Sequence, residues 1–84
     1  MSGNDQRIED LPLADVVRRR LRSLLDQIGS HHLPDLYTRV LEEVERVLIE
    51  EALKRGRGFR QEAARILGIH RNTLRLRMRK LGIK

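Results

Sequence analysis

Apolar residues in this chain recur at steps of three and four, and nowhere do they alternate at steps of two. That period is the signature of one face of an α-helix, and its persistence excludes strands. The first series is Leu13, Val16, Val17, Leu21, Leu24, Leu25 and Ile28, with Pro12 suited to a first helical turn and Gly29 to a stop. Ser30–Leu33 read as a loop, and Pro34 opens the second series. Leu36, Tyr37, Val40, Leu41, Val44, Val47, Leu48, Ala52 and Leu53 carry it to about Lys54, where Gly56 and Gly58 end it. A short third helix, "RQEAARIL", stops at Gly68. A fourth runs from about Arg71 to Leu81, with Gly82 just past its end. The expected fold is all-α with four helices. Residues 1–12 are polar and show no period, so they read as a flexible tail. Residues 13–55 form a long helical pair, and 58–84 form a second element of one compact domain.

The second helix carries too much apolar surface for a chain of 84 residues. Leu36, Val40 and Val47 point one way, and Leu41, Leu48 and Ala52 are rotated from them, an arc wider than the stripe of a surface helix. The first helix adds a full face of its own. Two short basic helices cannot cover both. A second copy of the chain can, in a symmetric dimer with a four-helix core. The expected dimer core is Leu21, Leu24, Leu36, Val40, Leu41, Val44, Val47 and Leu48. A monomeric four-helix domain with several exposed leucines is the competing arrangement.

Charge divides the chain sharply. Residues 1–53 hold 7 basic and 11 acidic residues, a balance of −4. Residues 54–84 hold 11 basic residues and a single acidic one, Glu62, a balance of +10. Solvating surfaces usually mix both signs, whereas a field this lopsided attracts polyanions. There is no cysteine, which rules out disulfides and thiolate metal sites and fits a reducing cytoplasm. No apolar run approaches the length of a membrane span, and the first ten residues lack the apolar stretch of a signal peptide.

The basic segment has an internal plan. Ala63 and Ala64 are small enough for two helices to cross closely, and Gly68 allows the left-handed backbone of a tight helix–helix turn. Leu67, Ile69, Leu74 and Met78 fill the angle between the helices. This is the logic of a helix-turn-helix, whose second helix enters a DNA major groove with its N-terminal residues toward base edges. "RNT" at 71–73 occupies that place. Arg71 can present two donors to guanine O6 and N7, while Asn72 and Thr73 can meet bases or phosphates. Arg71, Arg75 and Arg79 follow at steps of four on one side; Leu74, Met78 and Leu81 lie on the other.

"LYTRVLEEVERVLIEEAL" and the following "GFRQEAARILGIHRNTLRLRMRKLGI" resemble the Fis family of bacterial DNA-binding proteins over roughly residues 13–84. The same frame is similar to the C-terminal output domain of NtrC-type transcription activators, so an excised domain of such an activator is the alternative. The resemblance implies a cytoplasmic, nucleoid-associated homodimer that bends duplex DNA and regulates transcription or nucleoid organisation. Its long central helices would intertwine, and its two helix-turn-helix units would meet successive major grooves. Arg71 matches the family's base-reading arginine, and His70, Thr73 and Arg75 match other groove-contacting positions. Arg77 matches a phosphate contact and Gln61 a backbone contact at the start of the third helix. Asn72, Arg79 and Lys80 complete the expected DNA-binding set. The turn from Lys54 to Arg60 matches a contact point for RNA polymerase, and a contact with flanking DNA fits it equally well.

Three positions depart from the family pattern. Glu62 stands where free-standing Fis carries arginine, although NtrC-type domains accept glutamate there. Val47 replaces a proline that interrupts the long helix, which implies a straighter helix here. Residues 1–12 are too few and too polar for the β-hairpin arm that touches recombinases, so recombinase stimulation is not implied.

The remaining polar residues suggest little chemistry. His31 and His32 are adjacent loop histidines without a third ligand in view. Arg18, Arg19 and Arg20 with Arg22 could form a second DNA patch, although a solvated helix face is the commoner outcome for such a run. No nucleophile–base arrangement or phosphate-cradling glycine loop is present, so neither catalysis nor a metal or cofactor is expected. A basic amphipathic helix on a membrane surface would not require the "AA–LG–RNT" frame. A purely structural dimerisation module would leave the +10 segment without a purpose.

Overall fold

The computed structural model describes residues 12–84. Among the described residues there are four α-helices: α1 (Leu13–Ile28), α2 (Leu36–Arg55), α3 (Arg60–Leu67) and α4 (Arg71–Leu81). No strand occurs among the described residues, in line with the missing period of two. Apart from Pro12, the expected tail lies outside the described residues. The chain divides into two compact units, one ending at Pro34 and the other spanning Asp35–Lys84.

In the first unit, α1 begins directly after Pro12, whose φ of −76° suits a helix start. Asp15 sits in its first turn, where the helix dipole favours a carboxylate, and its Oδ1 accepts a hydrogen bond from Arg18 at 2.9 Å. No residue of α1 is buried in the single chain. Val17, Leu21, Leu24 and Ile28 are half-buried, and Leu13, Val16 and Leu25 are exposed.

The second unit has a small core made by three helices. Ile49 and Ala52 come from α2, Ala63 and Ala64 from α3, and Leu74, Met78 and Leu81 from α4. Leu53, Leu67 and Ile83 close its edges. Ile49 is not among the residues from which the period of α2 was read, yet it is the bulkiest buried side chain of that helix. Ala52 faces the same core and not the expected apolar arc. α2 starts two residues after Pro34, at Leu36, because Asp35 takes a left-handed conformation at its N-cap. It then runs unbroken for 20 residues through Val47.

Two glycines decide how α3 is held. Gly56 is buried, and a Cβ there would lie 3.1 Å from the Phe59 carbonyl oxygen and 3.2 Å from the Ala63 nitrogen. Only glycine lets α2 and α3 approach this closely. Gly68 sits at φ +71° between α3 and α4. Its N–H bonds the Arg65 carbonyl and the Ile69 N–H bonds the Ala64 carbonyl, both at 3.1 Å. This Schellman pairing satisfies the last carbonyls of α3 while turning the chain into α4. No helix of the described residues is long and apolar enough to cross a membrane.

Candidate nucleic-acid interface

α4 is anchored by one face. Leu74 is fully buried, Met78 and Leu81 join it in the core, and every intervening position except Leu76 carries charge. His70 caps the helix: its Nδ1 accepts the Asn72 N–H at 3.0 Å. An imidazole accepting through Nδ1 carries its proton on Nε2 and so keeps an N–H to donate. The cap fixes where the first turn begins, and Arg71, Asn72 and Thr73 stand there exposed. Arg75, Arg79 and Lys80 continue along the helix, also exposed. None of Arg71, Arg75, Arg79 or Lys80 is paired with an acidic side chain among the described residues.

The fold brings the start of α3 to the start of α4. Gln61, His70 and Arg71 line one shallow depression together with Arg65 and Ile69. Arg75 and Arg79 line a second with Arg60 and Lys84. Lys84 extends the basic surface beyond the residues expected from sequence, and Arg60 joins it from the turn where a contact with flanking DNA is expected. The membership of Lys84 is legible only as charge, since it lies past the end of the quoted frame. A third and larger depression surrounds Phe59, which is 69% exposed, with Arg55, Arg57, Arg60 and Arg65 at its edge. Among the described residues no group of His, Asp and Glu could hold a metal ion.

Arg77 stands apart from the other arginines. Its Nε and Nη2 each donate to a different carboxylate oxygen of Glu45 on α2, at 2.5 Å. The bidentate bond holds the Glu45 carboxyl below its ordinary range and raises the Arg77 guanidinium. Glu62 is held low in the same way by hydrogen bonds from Arg65, three residues on.

The family profile of bacterial regulatory proteins of the Fis family matches residues 40–81, from the second turn of α2 to the end of α4. Proteins named DNA-binding protein Fis match over nearly the whole chain. The one from Aliivibrio fischeri is 37% identical over 83 residues, covering 99% of this chain and 84% of its own. That of Histophilus somni is 36% identical, covering 95% and 82%. That of Haemophilus influenzae reaches 40% over 72 residues, covering 86% and 73%.

The chain belongs to the Fis family.

Matches along most of the length of these Fis proteins favour the Fis-type reading over that of an NtrC-type output domain. Within the Fis frame, the departure at Glu62 is absorbed locally. The side chain lies in the first turn of α3, where the helix dipole accepts an anion, and it pairs with Arg65. The departure at Val47 leaves α2 continuous. The arm expected to be missing falls on residues outside those described.

Proposed function

We propose that the chain binds duplex DNA as a homodimer, laying α4 of each copy into successive major grooves and bending the DNA between them. The observation that carries this reading is α4 itself. Its apolar side is buried while Arg71, Arg75, Arg79 and Lys80 are exposed without acidic partners among the described residues. Arg71 is the base reader, offering its planar fork to guanine O6 and N7. His70, Asn72 and Thr73 share the first turn and supply further contacts to bases or the nearest phosphates. Gln61, Arg75, Arg79 and Lys80 hold the phosphate walls, with Arg60 and Lys84 beside them. Those contacts fix orientation, and Arg71 confers sequence preference. The relatives' name, DNA-binding protein Fis, supports the same assignment.

Dimer formation rests on the family and on the core's size. Seven side chains are buried in Asp35–Lys84, and three of them are alanines. So small a core leaves little stability. Tyr37, Leu41, Val44 and Leu48 form an exposed stripe at steps of four, three and four along α2, with Val47 beside it. A second copy covering this stripe and the apolar side of α1 would supply the missing burial. Leu21, Leu24, Leu36 and Val40, half-buried in the single chain, belong to the same dimer core. In this reading residues 13–55 form the dimerisation helices and 58–84 the DNA-binding unit. The protein acts on the nucleoid in the cytoplasm, regulating transcription or DNA organisation and catalysing nothing.

The turn from Lys54 to Arg60 is proposed to meet RNA polymerase. Exposed Phe59 among arginines favours a protein surface, because an aromatic ring adds little to a phosphate contact. The test of the main reading is selection of binding sites by the purified protein from fragmented genomic DNA. Enrichment of a degenerate palindrome supports it. Failure to retain duplex DNA at about 0.15 M salt overturns it.

A further inference from the structure

The Glu45–Arg77 ion pair differs from the other ion pairs among the described residues. Those join residues three apart on one helix. Glu45 and Arg77 are 32 residues apart and join α2 to α4. Their side chains are 26% and 35% exposed, less than those of any other pair. The contact is a fork on a carboxylate, the ion-pair geometry that fixes direction as well as distance.

Its position gives that direction a consequence. Glu45 lies one turn before Ile49 and two turns before Ala52, on the side of α2 that faces the core. Arg77 lies between Leu74 and Leu81, beside Met78. The contact between α2 and α4 is the smallest of the three helix–helix contacts in this unit. The bidentate pair directly opposes a change in the tilt of α4 against α2, at the rim of the core that the two helices share. α2 carries the apolar stripe and α4 carries the arginines. The angle between them determines how far apart two copies present their recognition helices.

We propose that Arg77 is a positioning residue, held by Glu45, that sets the separation of the two recognition helices, and that it does not contact phosphate. This rests on the dimeric DNA-binding reading above. A dimer held at one separation prefers half-sites about 10–10.5 base pairs apart, so loss of the pair should show as loss of spacing preference.

The experiment compares the full chain with Glu45→Gln, Arg77→Gln and the double variant. Each is titrated against duplexes whose half-site spacing is varied one base pair at a time, over a range of salt. Glu45→Gln separates the alternatives because it removes negative charge. If Arg77 positions α4, Glu45→Gln should weaken binding at the best spacing by roughly tenfold, about the 1.4 kcal/mol of one modest coupling. It should also flatten the spacing profile and leave the salt slope unchanged. Arg77→Gln should do the same, and the double variant should be no worse than either single one. If Arg77 is a phosphate ligand restrained by Glu45, Glu45→Gln should tighten binding and Arg77→Gln, present in both copies, should lower the salt slope by about 1.8. Tighter binding, a changed slope, additive losses or an unaltered spacing profile each overturn the proposal. Absence of duplex binding by the unaltered chain would instead overturn the functional reading on which it rests.

Discussion

Replacing Leu74 by alanine tests whether the three-helix core holds α4 in place. Leu74 is wholly inaccessible, so the change removes three buried carbons at a site with no access to water. Such truncations cost about 2–5 kcal/mol, and the upper part of that range applies where the cavity cannot collapse. Here the α3 side chains of the core are Ala63 and Ala64, which have no further reach with which to fill a gap. A loss of about 3–5 kcal/mol is therefore expected, a large part of the roughly 5–15 kcal/mol typical of a domain. At about 4–8 °C per kcal/mol for a chain of this size, the melting temperature should fall by roughly 12 °C or more. The assay is loss of helical circular dichroism on heating, at one fixed protein concentration because dimerisation shifts the midpoint. Leu76→Ala is the control, since it removes the same atoms from the same helix at a site 56% exposed. It should change stability by no more than about 0.5 kcal/mol. Equal shifts for the two variants would refute the assignment of the buried face of α4.

Gly56→Ala should cost about 1–3 kcal/mol, because its Cβ would press on backbone atoms of Phe59 and Ala63 and force α3 outward; an unchanged melting temperature would contradict this. Leu48→Asp should abolish the dimer in sedimentation and lower the melting temperature, since Leu48 is exposed in the single chain and the proposed dimer is what would cover it. An unaltered dimer would remove the α2 stripe from the interface. Arg71→Ala should weaken a preferred site by about 1–3 kcal/mol and random duplex by much less. Lysine should substitute poorly, lacking the bidentate fork, and equal losses on both DNAs would make Arg71 a phosphate clamp.

What could be read from sequence was what neighbours in sequence determine. The limits of α3 and α4 follow from glycines and apolar spacing, and the helices observed at Arg60–Leu67 and Arg71–Leu81 begin and end where that spacing places them. The crossing of α3 and α4 was legible in Ala63, Ala64 and Gly68, whose sizes and backbone freedom are local properties. Ile49 was not, because the period of α2 fits an outward stripe so fully that one more apolar residue beside it changes nothing in the pattern. Only the packing of α3 and α4 separates that residue from the exposed ones. Glu45 was equally invisible. A carboxylate on an acidic helix reads as solvated surface, and nothing local marks its partner 32 residues on. The resemblance implies a phosphate contact for Arg77, and the structure adds a bidentate bond to the Glu45 carboxylate that no local pattern displays. The sequence position of His70 marks it as a groove neighbour, and its capping bond to Asn72 adds a second task that the position alone does not display.

The central claim is that unpaired cations of α4 neutralise DNA phosphates. It is tested most directly by the affinity for a single selected duplex measured at several salt concentrations. Arg75, Arg79 and Lys80 in each of two copies should release counterions on binding, at about 0.9 per phosphate. The logarithm of affinity should then fall linearly with the logarithm of salt, with a slope of roughly −5 or steeper. Affinity that hardly changes with salt, with a slope shallower than about −1, would contradict phosphate neutralisation by α4 and the reading built on it.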